Sequence, residues 1–283
     1  MNLSVGHITY ANCAPFFHYL DSSGFSGRIV PGVPSHLNRL LADGEIDVSP
    51  SSSFEYARGW REYLLLPGQS ISSRGPVQSV LLFSCRPLGE LAGEKIALTG
   101  ESATSVNLLY VLLREFLQTE DVDFHVPQSS SLEGIIAAGG TGLLIGDRAL
   151  KAAMEPTISR YVFDLGELWY RFTGLPFVFA LWILRRESAL ANPEEVRRLL
   201  EQLTASRRKA FASLEELACN SPERLWMDEG KLVDYWRCMD YDLKEDHLKG
   251  LELYFRLLVK YGRLSEMPEI RFFGEDNLIN NGN

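Results

Sequence analysis

Two short stretches carry small hydroxyl side chains in a pattern that chemistry can use. In SPSSSFEY, residues 49–56, the strand-like IDVSP runs into Ser51, Ser52 and Ser53 and then into a helical segment. In GESATSV, residues 100–106, the strand-like KIALTG runs into Ser102, Thr104 and Ser105 at the start of a longer helical pattern. A helix start leaves its first N–H groups without intrahelical acceptors, and its dipole favours negative charge. One serine in such a place is explained by N-capping, which contributes about 1 kcal/mol. Several hydroxyls at each of two starts exceed that need, and they point to a dianionic ligand held from both sides.

Other residues fit the same picture less specifically. Asn12 follows the first strand in TYANCAP, at a carboxyl end where open α/β sheets bind ligands, or it makes an Asx-turn ahead of Pro15. Arg74 in SSRGPVQS has the fork that pairs a carboxylate bidentately, or it is a solvated surface cation. Asp147 in LLIGDRAL ends a buried-looking strand; it orients a substrate hydroxyl or caps the next helix. Glu55 and Glu167 are possible acids, and Glu55 is equally a first-turn residue placed for the dipole. Five histidines without HxH or HxxxH spacing, and Cys13, Cys85, Cys219 and Cys238 without CxxC pairing, give no metal site. Neither GxGxxG, GxxxxGK[ST] nor GxSxG occurs.

The elements that must position these residues alternate strand and helix. Strand-like LSVGHI, GRIVPGV, IDVSP, YLLLPG, QSVLLFSCRPL, KIALTG, DVDFHVP, GLLI and FVFALWIL are separated by helical patterns, among them PSHLNRLLADGEID with a Ser35 cap and a Gly44 stop. That alternation predicts an α/β fold of mostly parallel sheets flanked by helices. From Asn192 onward the chain reads as helical almost throughout. The simplest closure is a two-lobed molecule: residues 1–88 plus 180–283 form lobe I, residues 89–179 form an inserted lobe II, and a ligand cleft lies between them. The two crossings then act as a hinge.

Bulk properties exclude several classes of function. With 28 Lys+Arg against 37 Asp+Glu, the chain lacks the basic excess that binds nucleic acid or anionic membranes. No stretch approaches the roughly 18 apolar residues of a membrane helix. The N-terminus has no cationic region ahead of an apolar run, and the cysteines suit a reducing compartment, so a cytoplasmic location is expected.

Taken in order, VGHITYANCAPFF, VPGVPSHLNRLLADGEIDVSPSSSFEYA, GESATSVNLL, LLIGDRAL and DLGELWYRFTGLPFVFALW resemble the menaquinone-biosynthesis chorismate dehydratase family, over residues from about 3 to 265. The resemblance implies a fold like that of type II periplasmic binding proteins. It also implies a cytoplasmic lyase that converts chorismate to 3-[(1-carboxyvinyl)oxy]benzoate in the futalosine route to menaquinone, without a cofactor. A sister family of the same fold makes 1,4-dihydroxy-6-naphthoate and carries a catalytic His in an LLIHE-like segment; here Gly146 stands at that place. That departure favours the dehydratase. With chorismate's two carboxylates as the target, the serine cluster and the Thr104/Ser105 helix start are expected to hold one carboxylate each. The proton-abstracting base stays open between the substrate's enolpyruvyl carboxylate, steadied by Asn12, and an acid such as Asp147 or Glu167. A non-catalytic solute-binding module is the alternative of a different class.

Overall fold

The computed structural model describes residues 3–128, 131–155 and 158–275, so the polar tail EDNLINNGN, apart from Glu275, lies outside them. The strands are β1 (Ser4–Ile8), β2 (Arg28–Gly32), β3 (Val48–Ser52), β4 (Tyr63–Ser73), β5 (Val80–Ser84), β6 (Lys95–Ala97), β7 (Asp123–His125), β8 (Thr141–Ile145), β9 (Tyr161–Asp164), β10 (Phe177–Arg185) and β11 (Met239–Asp240). They form a six-stranded sheet in the order β11-β4-β10-β3-β1-β2 and a five-stranded sheet in the order β7-β6-β8-β5-β9. After Ala191 helices predominate, as expected, with the longest at Pro193–Ala212 and Glu245–Lys260.

Both sheets are mixed, where the alternation of elements predicts mostly parallel ones. β1 pairs parallel with β2 and β3, and β6 with β7 and β8, while β10, β11 and β5 pair antiparallel with their neighbours. The cause is how the chain changes sheets. It leaves the first sheet at Ser73 and returns at Phe177, its Cα partner across the β4–β10 ladder, so β10 has to run back against β4. Eight consecutive residues of β10 are buried, and a strand covered on both faces reads as an unbroken apolar run.

The same topology moves the boundary between the two halves. β5 bonds to β8 and β9 in the second sheet, although residues 80–88 are expected with the first lobe. Residues 177–179 belong to the first sheet, although they are expected with the inserted segment. The Pro/Gly signal in RPLGELAG marks a turn inside the second sheet, not a crossing. At the helix Pro34–Ala42 the N-cap is Val33, with Pro34 at the first helical position, so Ser35 lies within the first turn and caps nothing.

One apolar core runs through both sheets, and a smaller one covers the outer face of the second. The split follows strand periodicity: Leu82 enters the shared core, while Leu81 and Phe83 enter the smaller one. Trp169, Phe177 and Tyr254 meet edge to face, with ring centroids 4.9 to 6.2 Å apart, and join a helix of the inserted segment to β10 and the helix Glu245–Lys260.

Where β4 ends, Arg74 donates from Nε to Asp240 Oδ2 at 3.2 Å and also pairs with Asp246. Fully buried His247 stands 3.0 Å from the same Asp240 oxygen. Burial opposes the charge of Asp240, but the His247 side chain, the Asp242 N–H and Arg74 outweigh it and hold the carboxyl at about 2, below its ordinary 3.8. A carboxyl held low stabilises the fold above its unfolded pKa and loses that contribution as pH falls through the folded value. Replacing Asp240 with Asn is therefore expected to cost about 2 kcal/mol near neutral pH, in urea unfolding. The gap between variant and parent closes between about pH 4 and pH 2; a gap that stays constant with pH contradicts this account.

Candidate active site

A cleft with about 520 Å³ of empty space, part of it open to solvent, lies between the two sheets. The first sheet and its loops supply Ile8, Tyr10, Asn12, Ser52, Ile71, Phe179, Ala180 and Met239; the second sheet and the preceding crossing supply Val77, Ser79, Val80, Ser102, Ser105, Ile145 and Gly146. Pro34 completes the wall. None of the described residues lining it carries a formal charge. Apolar side chains form most of the surface, and the polar atoms are hydroxyls, one amide and helix-start backbone.

Ser52 ends β3 and caps the helix Ser53–Gly59, its hydroxyl accepting the Glu55 N–H at 3.3 Å. Ser102 caps the helix Ala103–Val111 in the same way, accepting the Ser105 N–H at 3.2 Å, and its hydroxyl lies 3.1 Å from that of Ser105. Two capped helix starts, one following a strand of each sheet, thus face one space. Asn12 reaches it from the turn after β1, and its buried Oδ1 has no hydrogen-bond partner among the described residues.

The remaining residues singled out from sequence sit elsewhere. Thr104 is fully buried and joins the two helix starts: its Oγ1 accepts the Phe54 N–H at 2.9 Å and lies 3.4 Å from Ser53 Oγ. Ser53 and Thr104 therefore bring the two serine sites together and do not line the cavity. Ser51 is buried in β3, its hydroxyl without a partner among the described residues, and it is also absent from the wall. Arg74 is committed to Asp240 and Asp246. Glu55 pairs with Arg58 at 2.8 Å, and Glu167 is exposed in the first turn of the helix Leu165–Thr173. Asp147 does not reach the cavity: its Oδ1 accepts the Ala11 N–H at 2.9 Å. Burial pushes the Asp147 carboxyl up to about 6, with Glu223 adding to the rise and the Ala11 N–H and Lys151 opposing it.

Three wall residues escape the sequence reading or enter it only through the family comparison. Tyr10 donates its hydroxyl to Glu101 Oε2 at 2.5 Å, and burial first, then Glu101, pushes its phenol well above the ordinary range. Ser79 accepts the Tyr235 hydroxyl at 2.8 Å at the end of the first crossing. The preceding Gln78 has φ 60°, held there as its N–H and that of Val77 donate to Asp164. The Gly75-Pro76 pair is the sequence signal for this crossing. Gly146 has φ +57°, and a Cβ placed on it would stand 2.7 Å from the Tyr10 ring.

No helix among the described residues is long and apolar enough to cross a membrane. Residues 3–260 match the model of a family described as menaquinone biosynthesis. A chorismate dehydratase from Thermus thermophilus is 38% identical over 263 residues, covering 88% of this chain and 92% of that protein. A crystal structure of a protein from Archaeoglobus fulgidus superposes with a TM-score of 0.70 at 19% identity, over 93% of this chain and 98% of that one. The periplasmic aliphatic sulphonate binding protein SsuA from Escherichia coli does so with a TM-score of 0.67 at 14% identity, over 95% and 90%. The fold is thus the periplasmic-binding-protein-like one expected from sequence, and with its match extending over nearly the whole length, the chain belongs to the menaquinone biosynthesis family.

Proposed function

We propose that this protein is a chorismate dehydratase, a carbon–oxygen lyase that removes water from chorismate to give 3-[(1-carboxyvinyl)oxy]benzoate, and that it works in the cytoplasm, where its four unpaired cysteines stay reduced. The observation that carries the reading is the pair of serine-capped helix starts and Asn12 around one uncharged cavity. The family and the identity to the Thermus enzyme support the substrate.

Chorismate carries two carboxylates. The C3–H bond is conjugated through a ring double bond to the ring carboxylate, so negative charge moves toward that carboxylate as the proton leaves. Donors already aimed there stabilise the developing charge without reorganising. Ser52 or the Ser102/Ser105 pair supplies them, and the other helix start holds the second carboxylate. The C4–O bond then breaks, the ring becomes aromatic, and hydroxide leaves with the proton as water. Aromatisation drives the reaction, so no cofactor is needed.

The cavity wall narrows the choice of base. Its described lining contains no carboxylate or imidazole, and Tyr10 is held protonated by burial and by Glu101. The proton acceptor in our reading is the enolpyruvyl carboxylate of the substrate itself. Asn12 holds that group, and its unpartnered Oδ1 suits the C4 hydroxyl, the one neutral donor of chorismate. Glu167 is exposed and away from the wall, so it takes no part. The naphthoate-synthase alternative requires a His at position 146, where positive φ and the Tyr10 ring leave no room for a side chain.

Mixing the purified protein with chorismate, without metal or nucleotide, is expected to give the enolpyruvyl benzoate, seen by ultraviolet absorbance and by the loss of one water in mass spectrometry. Binding without turnover would favour a receptor. Substituting Ser52→Ala or Ser102→Ala is expected to lower kcat/KM about 10-fold or more, since hydrogen bonds to a charged group are worth roughly 1.5–3 kcal/mol. The melting temperature should fall by no more than about 4 °C, the size of a lost cap. Unchanged kinetics with that same small loss of stability would reduce the serines to caps.

A further inference from the structure

We propose that Asp147 is a positioning residue for the reaction: by accepting the Ala11 N–H from the opposite sheet, it sets Asn12 in the cavity. The inference rests on the reading that Asn12 holds the reacting carboxylate. It departs from both roles that the sequence suggests for Asp147.

The capping role fails on geometry. The helix Gly146–Ala153 has Ile145 at its N-cap and no side-chain cap bond. The Asp147 carboxylate bonds instead to a backbone amide 136 residues away. Direct action on the substrate fails too, because Asp147 is not part of the cavity wall. Its bond joins a set that fixes the turn carrying Asn12. Trp236 Nε1 donates to the Ala11 carbonyl at 2.7 Å, Tyr241 donates its hydroxyl to the Asn12 carbonyl at 2.9 Å, and the Cys13 N–H closes the turn on the Tyr10 carbonyl at 2.9 Å. Trp236 and Tyr241 lie close in sequence to β11, on the Asn12 side of the cleft. Asp147 follows β8, on the side that carries Ser102 and Ser105. Its bond therefore references the Asn12 backbone to the helix start that holds the other end of the substrate. Displacing a positioning group by about 1 Å can cost roughly 100-fold in rate.

A carboxylate in this place carries a burden consistent with such a role. Half-buried beside Cys13, Tyr10 and Tyr235, it stays ionised near neutral pH only against the pull of desolvation. An Asn side chain would accept the same N–H without that burden.

The test compares Asp147→Ala, Asp147→Asn and Ala11→Pro. Proline deletes the N–H and puts its Cδ where the amide hydrogen pointed at Asp147 Oδ1, so the bond is lost and the carboxylate is pushed aside. Its φ suits both the first helical position of Ala11–Cys13 and the extended Tyr10 before it, at φ −97° and ψ 151°. With chorismate as substrate, Asp147→Ala and Ala11→Pro are each expected to lower kcat about 10- to 100-fold while KM changes less than about 3-fold. Asp147→Asn recovers most of that loss, and the Asp147→Ala/Ala11→Pro double variant is no worse than either single change. A Asp147→Asn variant as impaired as Asp147→Ala would show that the charge or a proton is what matters, and additive losses would show that the two residues do not act through one bond; either result overturns the proposal. If the wild type leaves chorismate intact, it is the dehydratase reading that falls. Positioning is then judged without substrate, from the Asn12 side-chain amide signals in NMR spectra. These shift and broaden in Asp147→Ala and keep their place in Asp147→Asn; unmoved signals in Asp147→Ala overturn the inference.

Discussion

The hydrogen bond from the Phe54 amide to the Thr104 hydroxyl is the constraint on which the site depends. It joins the first turns of two helices that follow strands of different sheets, and so it decides that two anion-favouring helix starts share one space. Nothing local demands that arrangement, since each helix already has its own serine cap. Thr104 is fully buried, and its carbonyl accepts the Tyr254 hydroxyl at 3.0 Å, so losing either partner would strand a buried polar group. Further bonds reinforce the seam: Arg263 reaches Asn107 at 2.7 Å, and Tyr261 reaches Glu115 at 2.6 Å. A fold that could open as two free lobes is thereby stitched along the helix Glu245–Lys260 and the segment after it.

The chemistry that such a cavity favours follows from its lack of charge. A guanidinium or ammonium would grip a dianion tightly, and it would grip substrate and transition state alike. Hydroxyls, an amide and helix-start dipoles are weaker in the ground state and are aimed where charge accumulates. The apolar remainder of the wall, from Ile8 to Met239, strips water from whatever enters. Desolvation raises the pKa of a carboxylate, so a substrate carboxylate held there becomes a better base than the same group in water. In the proposed mechanism, the feature that made the base hard to find in the sequence, a site without a titratable side chain suited to the task, becomes a working property of the cavity.

How much was legible depends on whether the information is local. Ser52, Ser102, Ser105 and Asn12 line the cavity as read from sequence, because strand ends, caps and turns are written in neighbouring residues. Ser53 and Thr104, one residue along from two of these, face the other helix instead, and spacing alone does not say which hydroxyl of a cluster turns to ligand and which to protein. Arg74 and Asp147 are chemically apt side chains claimed by partners 166 and 136 residues distant, beyond the reach of any local pattern. The direction of β10 was hidden for a similar reason: an apolar run shows burial on both faces but carries no sign of orientation. Ser79, a lone hydroxyl in a crossing, stands in no repeat or cap that would mark it.

Gly146 and Tyr10 bear on how one fold could hold the two catalytic strategies that the sequence comparison suggests. The Tyr10 ring occupies the place where a side chain on residue 146 would stand, and the left-handed backbone there favours glycine independently. A protein that carries a His at this position has to move the aromatic ring out and relax the turn after β8. A protein that keeps the ring gains apolar wall and a hydroxyl bond to Glu101, which steadies the loop next to Ser102, but it gives up the protein base. The two occupants exclude each other sterically. If the substrate serves as its own base, as proposed, which of them fills this one volume decides whether the proton goes to the enzyme or to the substrate.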